Sequence, residues 1–127
     1  MNVPDGLLFT KEHEWVRLAG ATAVMGISDH AQHALGDITY VDLPIVGKAV
    51  AQGAGVAVVE SVKAASDVYA PVAGTVRAAN AELGDHPEII NQDPYGKGWL
   101  CEFEGVAPDA GKGLMSAAEY RTYLGTL

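Results

Sequence analysis

Basic residues are scarce in this 127-residue chain: eight Lys and Arg stand against sixteen Asp and Glu, a formal net charge of −8 at pH 7. That balance excludes the basic footprint of a nucleic-acid binder or of a protein held on anionic lipid. Its sign favours solubility and encounter with basic surfaces on partners. Cysteine is nearly absent too. The lone Cys101 leaves no internal disulfide to form, which suits a reducing compartment. No apolar run is long enough to span a bilayer, and Met1-Asn2-Val3-Pro4-Asp5-Gly6 has neither the basic nor the apolar region of a secretory leader. These absences lead us to expect a soluble, cytoplasmic protein that binds neither nucleic acid nor membrane. The length supports one core and not two, so one domain over residues 1–127 is expected.

What the chain does have is 15 Gly and 6 Pro spread along it, the mark of many short strands with frequent turns. One stretch stands out: no basic residue other than Lys63 occurs between Ala49 and Val76, so a single ammonium sits in an apolar, β-branched segment with Glu60 and Asp67 on either side. Val56 to Val62 and Ala65 to Val72 read as two strands of a hairpin over about residues 56–72. With Lys63 and Ala64 as the loop, Glu60 would face Asp67 and Val59 would face Val68. That pairing breaks two local rules. Lys-Ala lacks the Asn, Asp or Gly that a two-residue hairpin prefers, and like charges would lie opposite each other. Local rules broken together mark a candidate functional site. A lysine acting as base or Schiff-base nucleophile needs burial or a cationic neighbour. Lys63 has neither, which leaves two readings: an ordinary solvated turn lysine, or one acylated by a dedicated enzyme that supplies an activated acyl group and recognises the small shoulders Val62, Ala64 and Ala65.

Elsewhere Leu7-Leu8-Phe9, Glu14 to Leu18 and Ala21 to Ile27 read as strands. Ser28 to Gly36 carries an N-capping Ser, helix formers and a terminating Gly, and is expected to be a short helix. Asp37 to Leu43 alternates with period two and ends at Pro44, as a half-buried strand does. Gly74-Thr75-Val76 begins a return strand and Gly84-Asp85 another turn. Ile89 to Gly98 reads as a turn-dense loop feeding a last strand, in which Cys101 is a packed thiol. Met115 to Leu124 holds a capping box, Ser116 with Glu119, and a hydrophobic staple, Met115 with Tyr120, placing a C-terminal helix at about 116–124 with Gly125 as its stop. His13, His30 and His33 invite a metal reading, yet no zincin spacing is present. The pattern is that of a mainly β, flattened sandwich of two intertwined sets of strands, with a short internal helix, a C-terminal helix and Lys63 at one extreme edge.

Glu60-Ser61-Val62-Lys63-Ala64, then Ser66-Asp67 and Ala70 to Val76, resembles the lipoyl-attachment hairpin of the glycine cleavage system H proteins. Thr10 to Trp15, Gly26 to Gln32, Leu35 to Ile38 and Ile89 to Phe103 resemble further signatures of that family, in order along nearly the whole chain. Similar hairpins carry biotin between methionine shoulders, or lipoate after an Asp in 2-oxoacid dehydrogenase acyltransferases; here the shoulders are Val62 and Ala64. The resemblance implies the barrel-sandwich hybrid fold of lipoyl and biotinyl domains. It also implies a lipoate amide on Lys63, with Glu60, Ser61, Val62, Ala64 and Asp67 recognised at attachment.

The implied function is that of a non-catalytic carrier. It would take the aminomethyl group of glycine from the pyridoxal-phosphate decarboxylase (P protein) to the tetrahydrofolate-dependent aminomethyltransferase (T protein), and electrons to dihydrolipoyl dehydrogenase (L protein). Lipoate-attachment enzymes are further implied partners. Tethering lets successive enzymes meet an intermediate at high local concentration. The loaded arm, which bears a cationic amine, is expected to fold into a cleft where Glu14 and Asp67 supply negative charge and Ile27, Ala31 and Leu35 exclude solvent. Two positions depart from the family pattern: Glu12 stands where some relatives have Ser, and Ala34 where some have His, with His33 one place earlier. Rival readings are a lipoyl carrier for another pathway or a lipoyl relay, a small metal-dependent enzyme built on His13, His30 and His33, and a plain acidic interaction module.

Overall fold

The computed structural model describes residues 1–127. Its short apolar runs, punctuated by glycines, form nine strands: β1 (Leu8–Phe9), β2 (Glu14–Ala19), β3 (Thr22–Ile27), β4 (Ile38–Asp42), β5 (Ala49–Val50), β6 (Gly55–Ser61), β7 (Ala65–Tyr69), β8 (Gly74–Ala79) and β9 (Cys101–Glu104). Helices α1 (Asp29–Leu35) and α4 (Ala117–Leu124) are joined by two single turns, α2 (Glu82–Asp85) and α3 (Ile89–Gln92). The strands build two antiparallel sheets, one in the order β1-β2-β3-β9-β8-β5 and one in the order β4-β6-β7. Neither is closed into a barrel. The chain passes back and forth between them, since β4, β6 and β7 belong to one and β5 and β8 to the other. This is the intertwined, mainly β sandwich that the spacing of strands and glycines implies.

Between the sheets lies a core that includes Val16, Met25, Val41, Val59, Val68, Val76 and Phe103, with the buried Cys101 packed among them. Burial pushes the Cys101 thiol up to about 12, so it is an inert packed group. A second, smaller cluster sits outside the main core, where Val3, Leu7, Phe9 and Trp15 receive Ala117 and Tyr120 from α4. Trp15 is fixed there by its indole N–H, which donates to Pro94 O at 3.0 Å. Only a glycine fits opposite it: a Cβ on Gly26 would lie 2.8 Å from Trp15 Nε1. Both bonds of the expected capping box of α4 are present, Ser116 N–H to Glu119 Oε1 at 2.9 Å and Glu119 N–H to Ser116 Oγ at 3.2 Å.

Three expectations need correction. Ile89–Gln92 is helical rather than loop, as is the Gly84-Asp85 stretch within α2, because successive i→i+3 and i→i+4 bonds such as Asp93 N–H to Ile89 O close the turns. The strand expected over Ala65 to Val72 ends at Tyr69, ahead of Pro71, which has no N–H to give a ladder. The hairpin register also differs by two residues from the one its sequence suggests, the turn lying one place earlier. Glu60 lies opposite Ala65, Val59 opposite Ser66 and Val58 opposite Asp67, so Glu60 and Asp67 never face each other.

The cause is Ser61. Its backbone N–H donates to Ala64 O at 2.8 Å, while its hydroxyl accepts the N–H groups of Lys63 and Ala64, each at 3.2 Å. A serine hydroxyl thus does what Asn-Gly would do by left-handed backbone, and neither Val62 nor Lys63 has a positive φ. Val62 and Lys63 form the apex.

Candidate functional site

The apex of the β6–β7 hairpin is exposed, with Val62 at 67% of its free surface and Lys63 beside it. It is steadied from one side, where Val62 N–H donates to Asp37 O at 3.1 Å. Asn91 supports that junction in turn: its Oδ1 accepts from Ile38 N–H, and its amide donates to Gly36 O and to Gln32 Oε1, all at 2.9 Å. The aliphatic stem of Lys63 lies over Gly36, the C-cap of α1, where φ is +78° and a Cβ would come within 3.4 Å of Lys63 Cε. Glycine there serves both the backbone and the approach of the lysine. The ion pairs of the chain are Arg77–Glu102, His86–Glu88 and Arg121–Asp5, so neither Glu60 nor Asp67 engages Lys63. The Lys63 ammonium has no ion-pair partner.

A cleft of about 500 Å³ opens between the turn before β2, the end of β7 and the segment before α4. Phe9, Ala70, Pro71 and Met115 give it apolar walls, and Glu12 and Glu14 are its acidic groups. Glu14 is only 2% exposed. Its Oε1 accepts from the Thr10 hydroxyl at 2.6 Å and its Oε2 from Tyr69 N–H at 3.2 Å. Burial pushes the Glu14 carboxyl above the ordinary carboxylate range, against the opposite pull of those two hydrogen bonds and with a small push from Glu12. No cation pairs with it. A buried carboxylate in that state is poised to gain from a cationic partner, which would favour its ionised form.

The structure brings together some of the residues expected in an arm-receiving cleft and separates others. Glu12 and Glu14 share it. Asp67 does not: it is exposed and lines a different depression with Asp42 and Lys48. Ile27 is buried in the main core, and Ala31 and Leu35 pack half-buried against that core from α1, so these three are not among the lining residues. Thr10, Tyr69 and Met115 line the cleft although sequence reading passed over them. Thr10, four residues before Glu14, carried a local signal. Tyr69 and Met115 carried none, since strand pairing and the Phe9–Met115 bridge bring them there.

The histidines are dispersed in part. His13 and His30 approach with ring centroids 4.5 Å apart, while His33 is exposed on α1. No group of three or more His, Cys, Asp or Glu side chains converges to hold a metal ion. No helix is long and apolar enough to cross a membrane.

A profile described as Glycine cleavage H-protein matches residues 7–126. A glycine cleavage system H protein of Herpetosiphon aurantiacus is 53% identical over 123 residues, covering 97% of this chain and 94% of the relative. One from a Psychrobacter species is 55% identical over 124 residues, covering 97% and 98%. In three dimensions the chain is similar to the crystal structure of a glycine cleavage system H protein from Mycobacterium marinum, with a TM-score of 0.87 at 38% identity over 97% of this chain and 99% of that one.

Proposed function

The chain belongs to the glycine cleavage H-protein family, and on that premise we propose that Lys63 bears its lipoyl group as an amide on Nζ. The role of the chain is that of a lipoyl carrier in the glycine cleavage system, without catalysis of its own. The observation that carries the assignment of Lys63 is its setting. It is the one basic side chain of the hairpin, placed at an exposed apex, free of any ion pair, with its stem laid over a glycine. A lysine so placed can enter another enzyme's active site without unfolding anything around it. Glu60, Ser61, Val62, Ala64 and Asp67 are the neighbours an attachment enzyme would read, and residues 1–127 act as one carrier domain.

When bound, the lipoyl group supplies the sulfur chemistry that accepts and releases cargo. The cargo is the aminomethyl group of glycine, received from the decarboxylase and passed to the aminomethyltransferase, with electrons leaving to dihydrolipoyl dehydrogenase. The residues of the chain handle charge and water. Four residues of β7, about 13 Å of strand, separate Ala65 at the hairpin's end from Tyr69, whose N–H meets Glu14. An arm that starts at Lys63, two residues beyond Ala65, and reaches past that length brings a cationic amine to the Glu14 carboxylate, with Phe9, Pro71 and Met115 excluding water around it. Glu12 adds negative charge to the cleft, and Lys11, which also lines it, opposes it. Asp67, outside the cleft, belongs with docking at the hairpin.

Intact-mass spectrometry of the chain from its native host tests the assignment: a lipoyl increment is expected on the parent and none on Lys63→Arg. Glycine–bicarbonate exchange with purified partner enzymes should fall to background in Lys63→Arg. Full exchange activity in that variant sinks the proposal.

A further inference from the structure

The turn that presents Glu14 is held open in an unfavourable shape. Within it Thr10 N–H donates to Glu14 O at 3.0 Å, His13 N–H to Thr10 O at 3.1 Å, and Glu14 N–H to Thr10 Oγ1 at 3.1 Å. His13 occupies the left-handed region with φ +70°, the one residue other than glycine to do so. A side chain stays there only when its surroundings over-determine it.

The surroundings come from the far end of the chain. His13 Nδ1 lies 2.8 Å from the Tyr120 hydroxyl, 107 residues away, and the same hydroxyl lies 2.8 Å from Ser28 Oγ. Ser28 N–H closes the loop by donating to His13 O at 2.9 Å. Tyr120 cannot move aside, being fully buried and stacked on Phe9 at 4.4 Å with the rings 2° from parallel. Phe9 is the residue before Thr10 and also a wall of the cleft. The groups facing the His13 ring are His30, Glu12, Tyr120 and Tyr123.

We propose that Tyr120 is a positioning residue for Glu14: its hydroxyl, acting through the His13 ring, fixes the turn from Thr10 to Glu14 and so aims the carboxylate into the cleft. The C-terminal helix is then more than a cover for the small cluster beneath it. Through one hydroxyl it sets the charge at the opposite end of the site from Lys63. Any consequence for the loaded arm rests on the reading of the cleft given above.

The test begins with the full chain, unlipoylated and ¹³C-labelled at glutamate carboxyls, with Glu14→Gln used to assign the resonance. Tyr120→Phe keeps the stacked ring and removes only the hydroxyl. Its Glu14 titration midpoint should fall toward the ordinary carboxylate value as the turn loosens and water reaches the group. In a His13→Asn background, where the residue tolerates a positive φ, the same substitution should leave the midpoint unmoved. A merely structural role would lower melting temperature without moving the midpoint. An unchanged midpoint in Tyr120→Phe overturns the inference, as does an equal fall in both backgrounds.

A second arm uses the lipoylated chain, reduced and charged with formaldehyde and ammonium, and follows the lifetime of the cargo. A severalfold shorter lifetime in Tyr120→Phe is expected. A lowered midpoint with an unchanged lifetime supports the positioning role and tells against the cleft as the seat of the arm.

Discussion

Two tight turns define the ends of this site, and both are closed by a hydroxyl that accepts backbone N–H groups. At the hairpin apex Ser61 Oγ takes the N–H of Lys63 and Ala64; before β2 Thr10 Oγ1 takes the N–H of Glu14. The difference lies in what surrounds them. The apex is exposed, and one backbone bond, from Val62 to Asp37, ties its tip to the rest of the chain. The turn before β2 is gripped by Tyr69, Ser28 and Tyr120 from three distant segments. On the proposed reading, an attachment point must be reachable from outside, as the exposed apex is. A receiving carboxylate must already be in place when the charge arrives, since arranging it afterwards consumes the interaction it offers. The same local device closes both turns, and the packing around them decides which is exposed and which is held from several sides.

The sharpest way to break the comparison is to remove the grip. Tyr120→Ala deletes a fully buried ring stacked on Phe9 and should cost about 3–5 kcal/mol of stability. Val62→Ala at the apex should stay within about 0.5 kcal/mol. Urea unfolding of the two variants measures the contrast. Comparable losses would mean that the apex is held as firmly as the turn.

How much of this was legible in the sequence follows the same divide. Lys63, the hairpin about it and the Ser116–Glu119 capping box could be read because each is decided within a few residues. The hairpin's register could not, because the ordinary signals of Asn and Gly were missing and a serine hydroxyl took their place. Family resemblance supplied Glu14, and Thr10 stood four residues before it. His13's partner lay beyond any local reading: a tyrosine 107 residues away meets it only once α4 has docked. Asp67 was grouped with Glu14 by analogy, yet the two line different depressions, a separation set by sheet geometry alone.

A smaller effect is expected at the apex itself. Ser61→Ala leaves the Lys63 and Ala64 N–H groups to water and, because the loop is exposed, should cost no more than about 0.5 kcal/mol of stability. The rate of lipoyl attachment in a purified ligation assay should fall severalfold, because the lysine is no longer presented by a closed turn. Ser61→Thr, which keeps the hydroxyl, should recover it. An unchanged rate in the alanine variant would show that the attachment enzyme does not use the shape of the turn.

At the other end, Glu14→Gln tests the strain of a buried charge. The carboxyl value in the fold is raised, so the fold favours the protonated form: its stabilising contribution is complete below the ordinary value near 4.5 and is lost as pH rises through the folded value. The amide, uncharged throughout, should therefore melt higher than the parent at pH 7. The two should converge at acid pH.

The smallest effect is expected at His13. Burial first, and His30 second, hold the His13 ring below its ordinary value of 6.5, against the opposing pull of Glu12. Protons therefore bind the unfolded chain before they bind the fold. The stability this group contributes is whole above 6.5 and is lost as pH falls from there through the depressed folded value. Melting temperature should fall by no more than a few degrees over that window, above the range in which most carboxylates titrate. His13→Asn should flatten the slope. A full slope in His13→Asn would mean that the packing that isolates His13 is weaker than its contact with Tyr120 implies.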